Sequence, residues 1–168
     1  MKHTNFLKKP HFKILYSALI FWFSMLNVSY AEEPSLVNIG VATKGKLVVM
    51  NARLVNGFTR NISEAIESGV PMTFTFDIEL RQDNIIWSDT LISSNIIQHT
   101  IKYDSLKKVY RFLELGKGVK RKIITRNKEN YQKLMLTLNN IPIASTRRLD
   151  TNEKYYIRVK ANLETNRL

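Results

Sequence analysis

From Met72 to Arg81 apolar and polar residues alternate without exception. Met72, Phe74, Phe76, Ile78 and Leu80 take one side; Thr73, Thr75, Asp77, Glu79 and Arg81 take the other. A period of two over ten residues predicts a strand with one buried and one wet face. Tyr155 to Glu164 repeats the rhythm, with Tyr155, Ile157, Val159, Ala161 and Leu163 set against Tyr156, Arg158, Lys160, Asn162 and Glu164. Such alternation suits antiparallel sheets with a solvated side. Weaker patterns predict further strands. Val37–Thr43 and Lys46–Leu54 flank the turn Lys44-Gly45, and Ile85–Ile92 follows Met72–Arg81 across Gln82-Asp83-Asn84. Ile96–Tyr103 leads through Asp104-Ser105 to Val109–Leu115, and Gly116-Lys117-Gly118 turns the chain into Val119–Arg126. About eight short strands at regular spacing predict a mainly β fold, an antiparallel β-sandwich for which an Ig-like layout is one option.

Two segments change period. Asn61–Ser68 places Ile62, Ala65 and Ile66 on one face, with Glu64 three residues after Asn61 in the manner of a capping box. Gly69 and Pro71 then end the helix. Asn127–Asn139 carries Tyr131, Leu134, Met135 and Leu138 at helical spacing. Both helices are too short to be stable alone and are expected to plug an edge or end of the sheets.

The amino terminus departs from both rhythms. Lys2, Lys8, Lys9 and Lys13 precede any acidic residue, Ile14–Leu26 is uncharged, and Asn27–Ala31 is small and polar. This is the layout of a secretory signal helix over residues 1–31, with cleavage expected between Ala31 and Glu32. The alternative is an uncleaved anchor, since the uncharged run Ile14–Ala31 is 18 residues long. Residues 32–168 are expected to form one exported β-rich domain in the periplasm or cell envelope. Four of the 26 Lys and Arg residues precede residue 32, leaving 22 against 14 acidic residues, a net charge of +8. The chain has no cysteine, which excludes thiol nucleophiles, thiolate metal sites, disulfides and a lipid-modified cysteine.

Several segments resemble a bacterial family catalogued as domain-of-unknown-function family 4390. They are Ser63–Pro71, the strand ending Glu79-Leu80-Arg81, Trp87-Ser88-Asp89, Tyr103–Tyr110, Tyr155–Arg158 and Ala161–Leu168. The resemblance implies a small exported protein with no established activity, cofactor or catalytic residues, often encoded beside a membrane sensor kinase. Relatives commonly continue past the segment matching Asn166-Arg167-Leu168 with a Leu-Pro-x-Pro-Leu run and a strand-like tail. That puts the closing strand in question, and a truncated member of little function is one alternative.

The catalytic inventory is poor. After residue 31 there is one histidine, His99, on the same strand face as Ile97, Ile101 and Tyr103, where a packed role is expected. A histidine-based metal site would need further ligands. Asp77 and Glu79 share a wet face about 7 Å apart, the carboxylate spacing of some glycosidases, yet polar positions on a solvated face require no function. No phosphate loop or nucleophile elbow is present. Trp87, Tyr103 and Tyr110 are expected to pack inward.

Charge is the distinctive feature. Lys117, Lys120, Arg121, Lys122, Arg126 and Lys128 fall within twelve residues containing no acid. As a strand, this segment projects Lys120, Lys122 and Arg126 from one face and Arg121 from the other. The set predicts an anionic partner, either a protein or an anionic envelope surface; export argues against nucleic acid. The bland alternative is a charged edge strand that blocks edge-to-edge pairing. The expectation is a non-enzymatic envelope binding protein without catalytic residues, cofactor or metal, and a link to sensor-kinase signalling rests on the resemblance alone. The rival is a cell-wall hydrolase acting through Asp77, Glu79 or Asp89.

Overall fold

The computed structural model describes residues 33–85 and 87–165. The expected signal segment, its Ala31/Glu32 cleavage point and residues 166–168 lie outside the described residues. The described residues are mainly β, about 60% strand, in two antiparallel sheets. The smaller sheet has the order β1-β2-β7, from β1 (Ser35–Lys44), β2 (Leu47–Val55) and β7 (Thr137–Ser145). The larger runs β6-β5-β4-β3-β8, from β3 (Met72–Gln82), β4 (Thr90–Asp104), β5 (Val109–Gly116), β6 (Val119–Thr125) and β8 (Tyr155–Thr165). The inner faces form one core. Val48, Met50, Ala52 and Leu54 of β2 pack in the same cluster as Phe74, Phe76 and Ile78 of β3 and Ile97 and Ile101 of β4.

The alternating segments become strands as expected. β3 pairs with β8 in unbroken register from Met72↔Thr165 to Gln82↔Tyr155. The first hairpin forms, but its two-residue turn is Gly45-Lys46 rather than Lys44-Gly45, since Lys44 stays in β1 opposite Leu47; Gly45 adopts φ +62°, a left-handed position that favours glycine. The β5–β6 hairpin turns on Lys117-Gly118, while Gly116 stays in the strand. A Cβ at Gly116 would lie 2.2 Å from Ile97 Cδ1 and 2.9 Å from the Ile96 carbonyl, so glycine is required for close packing there.

Three further expectations need correction. The segments Ile85–Ile92 and Ile96–Tyr103 are not two strands. β4 is one strand starting at Thr90, preceded by a loop whose polar groups are satisfied locally. In that loop the Asn84 N–H donates to Asp89 Oδ1 (3.3 Å), and Asn84 Nδ2 donates to the Ser88 carbonyl and to Thr90 Oγ1 (3.0 Å each). Such side-chain bonds offer the backbone an alternative to a ladder. Ser93 and Asn95 look like a break in the sequence, but their side chains bond to carbonyls of β7, so β4 continues through them. The second helix also ends early. It spans Lys128–Leu136 (α2), and the chain then extends as β7, which the periodicity did not reveal. Leu138 fits both the helical rhythm and a strand. Asn140, at φ +52°, and Pro142 disguise an irregular edge strand, a setting that tolerates proline.

The third correction concerns the first helix. It spans Arg60–Glu67 (α1), and its cap is Thr59 rather than Asn61: Thr59 Oγ1 accepts from the Ile62 N–H at 3.3 Å. Glu64 pairs with Arg60 at 2.7 Å and closes no capping box. The stop holds. Gly69 adopts φ +86°, its N–H reaches the Ile66 carbonyl at 2.9 Å, and the Val70 N–H reaches that of Ala65 at 3.0 Å.

Candidate functional site

β6 is an edge strand, and its alternation splits the basic segment between two faces. Lys120, Lys122 and Ile124 point outward; Val119, Arg121 and Ile123 point toward the core side. The neighbouring strands extend the outer face. Lys120 lies opposite Leu115, Lys122 opposite Leu113 and Ile124 opposite Arg111, while Arg111 in turn lies opposite Lys102. Among the described residues, the only carboxylate on this β4–β6 part of the face is Asp104, bound by Arg111 at 3.0 Å. The Lys107 backbone N–H and the Arg111 guanidinium hold its carboxyl below the usual range. From Ile96 to Lys128 the sequence has ten Lys and Arg residues and two carboxylates. Among the described residues, Lys117, Lys120, Lys122 and Arg126 make no ion pair. Apolar side chains lie among these cations, including Ile124 at 62% exposure.

Two members of the predicted basic set stand apart. Lys128, at the start of α2, forms an ion pair with Glu67 of α1. Arg121 turns inward to a buried carboxylate: its Nε lies 2.9 Å from Glu114 Oε2, with the guanidinium 5.7 Å from the centre of the Phe112 ring. The N–H is not aimed at the oxygen, so the contact is one of charge rather than an aligned hydrogen bond. The other oxygen, Glu114 Oε1, is 2.9 Å from His99 Nε2. His99 Nδ1 is 2.9 Å from the Met135 carbonyl of α2, which can only accept, so that nitrogen carries a proton. Burial pushes the Glu114 carboxyl up, but His99 and Arg121 more than offset this and hold it below the usual range. His99 is therefore packed, as expected, and it joins β4, β5 and α2 through one polar group. The sequence showed that His99 faces inward but not that Glu114 does. Glu114, between Leu113 and Leu115, carries no local sign of burial.

The carboxylates considered for hydrolysis are tied down. Glu79 Oε2 accepts from Arg81 (3.0 Å) and Arg158 (2.6 Å), which hold its carboxyl below the usual range. Asp89 is held low by the Tyr156 hydroxyl (2.6 Å) and the Asn84 N–H. Asp77 lies opposite Lys160 and contacts Asn162 Nδ2 at 3.4 Å. A general acid needs the reverse environment, one that raises its pKa.

The aromatic expectations divide. Tyr110 is buried, with ring centres 4.7 Å from Tyr103 and 4.2 Å from Tyr131. Trp87 is 81% exposed, contrary to the expected inward packing, because its segment is a loop and not a strand. Three or more His, Asp or Glu side chains placed to hold a metal do not occur among the described residues.

A family model described as a domain of unknown function (DUF4390) matches residues 31–168. No curated protein and no solved structure matches the chain.

Proposed function

Because this chain belongs to the DUF4390 family, whose description assigns no activity, we propose its role from its surface: a non-enzymatic binding protein of the cell envelope that docks on an anionic surface. One observation carries the reading. On a single sheet face, the β4–β6 half presents Lys120 and Lys122 without carboxylate partners, its one carboxylate, Asp104, being taken by Arg111, whereas the β3–β8 half sets Glu79 against Arg81 and Arg158 and Asp77 opposite Lys160. A one-sided field of this kind attracts and orients an anionic surface. The apolar side chains Leu113, Leu115 and Ile124 among the cations suit a surface with an apolar layer beneath its charges, such as a bilayer containing anionic lipid. Export is supported by the signal-like layout of residues 1–31. Glu79 and Asp89, held low by their hydrogen-bond partners, are poorly suited to act as general acids, which disfavours the hydrolase reading.

The test is co-sedimentation of the purified chain with phosphatidylglycerol-containing vesicles and with neutral phosphatidylcholine vesicles, across a salt series. Binding should require the anionic lipid and weaken as salt rises. The double variant Lys120→Glu/Lys122→Glu should lower binding by about a thousandfold, at roughly 1 kcal/mol per cation near the surface with reversal counting twice. Equal binding to both vesicles, or full binding by the double variant, would refute the proposal.

A further inference from the structure

The turn of the basic hairpin meets β7 at a place where the two sheets are joined by side chains. β4 and β7 belong to different sheets. The buried Asn95 accepts the Lys117 N–H on Oδ1 (3.1 Å) and directs Nδ2 to the carbonyls of Pro142 (3.0 Å) and Lys117 (3.3 Å). Ser93 Oγ donates to the Ile143 carbonyl at 2.7 Å. Three chain segments are thus fixed around two polar side chains without a backbone ladder between β4 and β7. A cavity of about 440 Å³ opens beside this junction. Small-molecule sites typically occupy about 300–1,000 Å³ and combine apolar walls with a few fixed polar groups.

The walls carry two chemistries. Leu47, Pro142, Ile143 and Ala144 supply an apolar side. Lys117 and Arg148 are its charged lining residues, and no carboxylate lines it. Arg148 follows β7 in a short 3-10 turn, Thr146–Arg148. Its Nη1 donates to the Ile92 carbonyl at 3.3 Å, which holds the guanidinium near the cavity and leaves its other donors without protein partners among the described residues. Guanidinium donors in this state match an oxyanion.

We propose that this cavity binds a small amphipathic oxyanion: a carboxylate or phosphate head held by Arg148 and Lys117, with a short apolar body against Leu47 and Ile143. The site is separate from the docking face, because Lys120 and Lys122 do not line it.

Isothermal titration of the full chain with octyl phosphate, octanoate and inorganic phosphate tests it. The two octyl probes should bind, and octyl phosphate should bind about tenfold or more tightly than inorganic phosphate, since only the former uses the apolar wall. Comparing octyl phosphate with octanoate tells which head the site prefers. Arg148→Glu and Leu47→Asp, both at exposed positions, should each weaken octyl phosphate by about tenfold or more. Lys120→Glu/Lys122→Glu should leave it unchanged, so this proposal and the vesicle-docking proposal fail separately. Amide shift mapping on the unmodified chain should place the octyl phosphate changes at Lys117, Gly118 and Ser145, independently of how any variant folds. Absence of binding at millimolar concentration, inorganic phosphate binding as tightly as octyl phosphate, or shifts located elsewhere would overturn the proposal.

Discussion

Glu114 is the residue on which most of the interior electrostatics converge. Its side chain is almost wholly buried and meets His99 and Arg121 at 2.9 Å each. A buried charge is tolerated only when partnered, and removing one member leaves the others without compensation. Glu114→Gln should therefore destabilise the protein by about 3 kcal/mol at neutral pH, measured by urea denaturation. The pH dependence has a definite sign. The folded carboxyl titrates below its unfolded value, so its contribution is complete above the unfolded carboxylate range, near pH 4.3 for Glu, and is lost as pH falls through the lower folded value. The difference between the parent protein and Glu114→Gln should shrink as pH falls below about 5. A difference that grows as pH falls would contradict this assignment.

At the scale of the element, α1 shows how a helix start is chosen. Both Thr59 and Asn61 are favourable cap residues by type, and the sequence places Glu64 three residues beyond Asn61. The chain caps with Thr59, which starts the helix two residues earlier and brings Arg60 beside Glu64. Thr59→Ala should cost about 1 kcal/mol, whereas Asn61→Ala should stay within about 0.5 kcal/mol. Thermal melts of the two variants compare them directly, and equal losses would restore Asn61 as the cap. In β7, Pro142 sits where β2 and β7 shift register between Val48 and Val49, at a position where an edge strand needs no proline N–H.

Across the whole molecule, the two sheets end in four edge strands with different protection: β7 carries Pro142 and a register shift against β2. β6 is charged on its outer face. β8 carries Arg158 and Lys160. β1 has neither, and Ile39 and Val41 are exposed on it. An exposed edge with apolar side chains is a template for pairing with other chains. Ile39→Lys/Val41→Lys should slow aggregation of concentrated protein, followed by light scattering. Stability should change by no more than about 0.5 kcal/mol, since neither side chain is in the core. Faster aggregation, or a large loss of stability, would show that β1 is covered in solution.

Local patterning was enough to specify the strands whose two faces differ in chemistry. Met72–Arg81 and Tyr155–Glu164 could bury their apolar side in only one register, because a slip of one residue would turn Phe74, Phe76 and Ile157 out to water. Gly69 likewise marked the end of α1, since its left-handed φ is a local property of the chain. Tertiary structure decided whatever depended on partners distant in sequence. Ser93 and Asn95 remain within a strand because β7 carbonyls receive their side chains. Leu138 leaves the helical path because β2 offers it a sheet to join. Glu114 becomes interior because His99 receives it, and the half-exposed Arg121 turns toward it from the core side of β6. Trp87 remains outside because Asn84 and Asp89 close their own loop. The apparent single basic cluster divides for the same reason: alternation assigns each cation to a face, but only the packed sheets decide which face meets a buried carboxylate and which meets solvent.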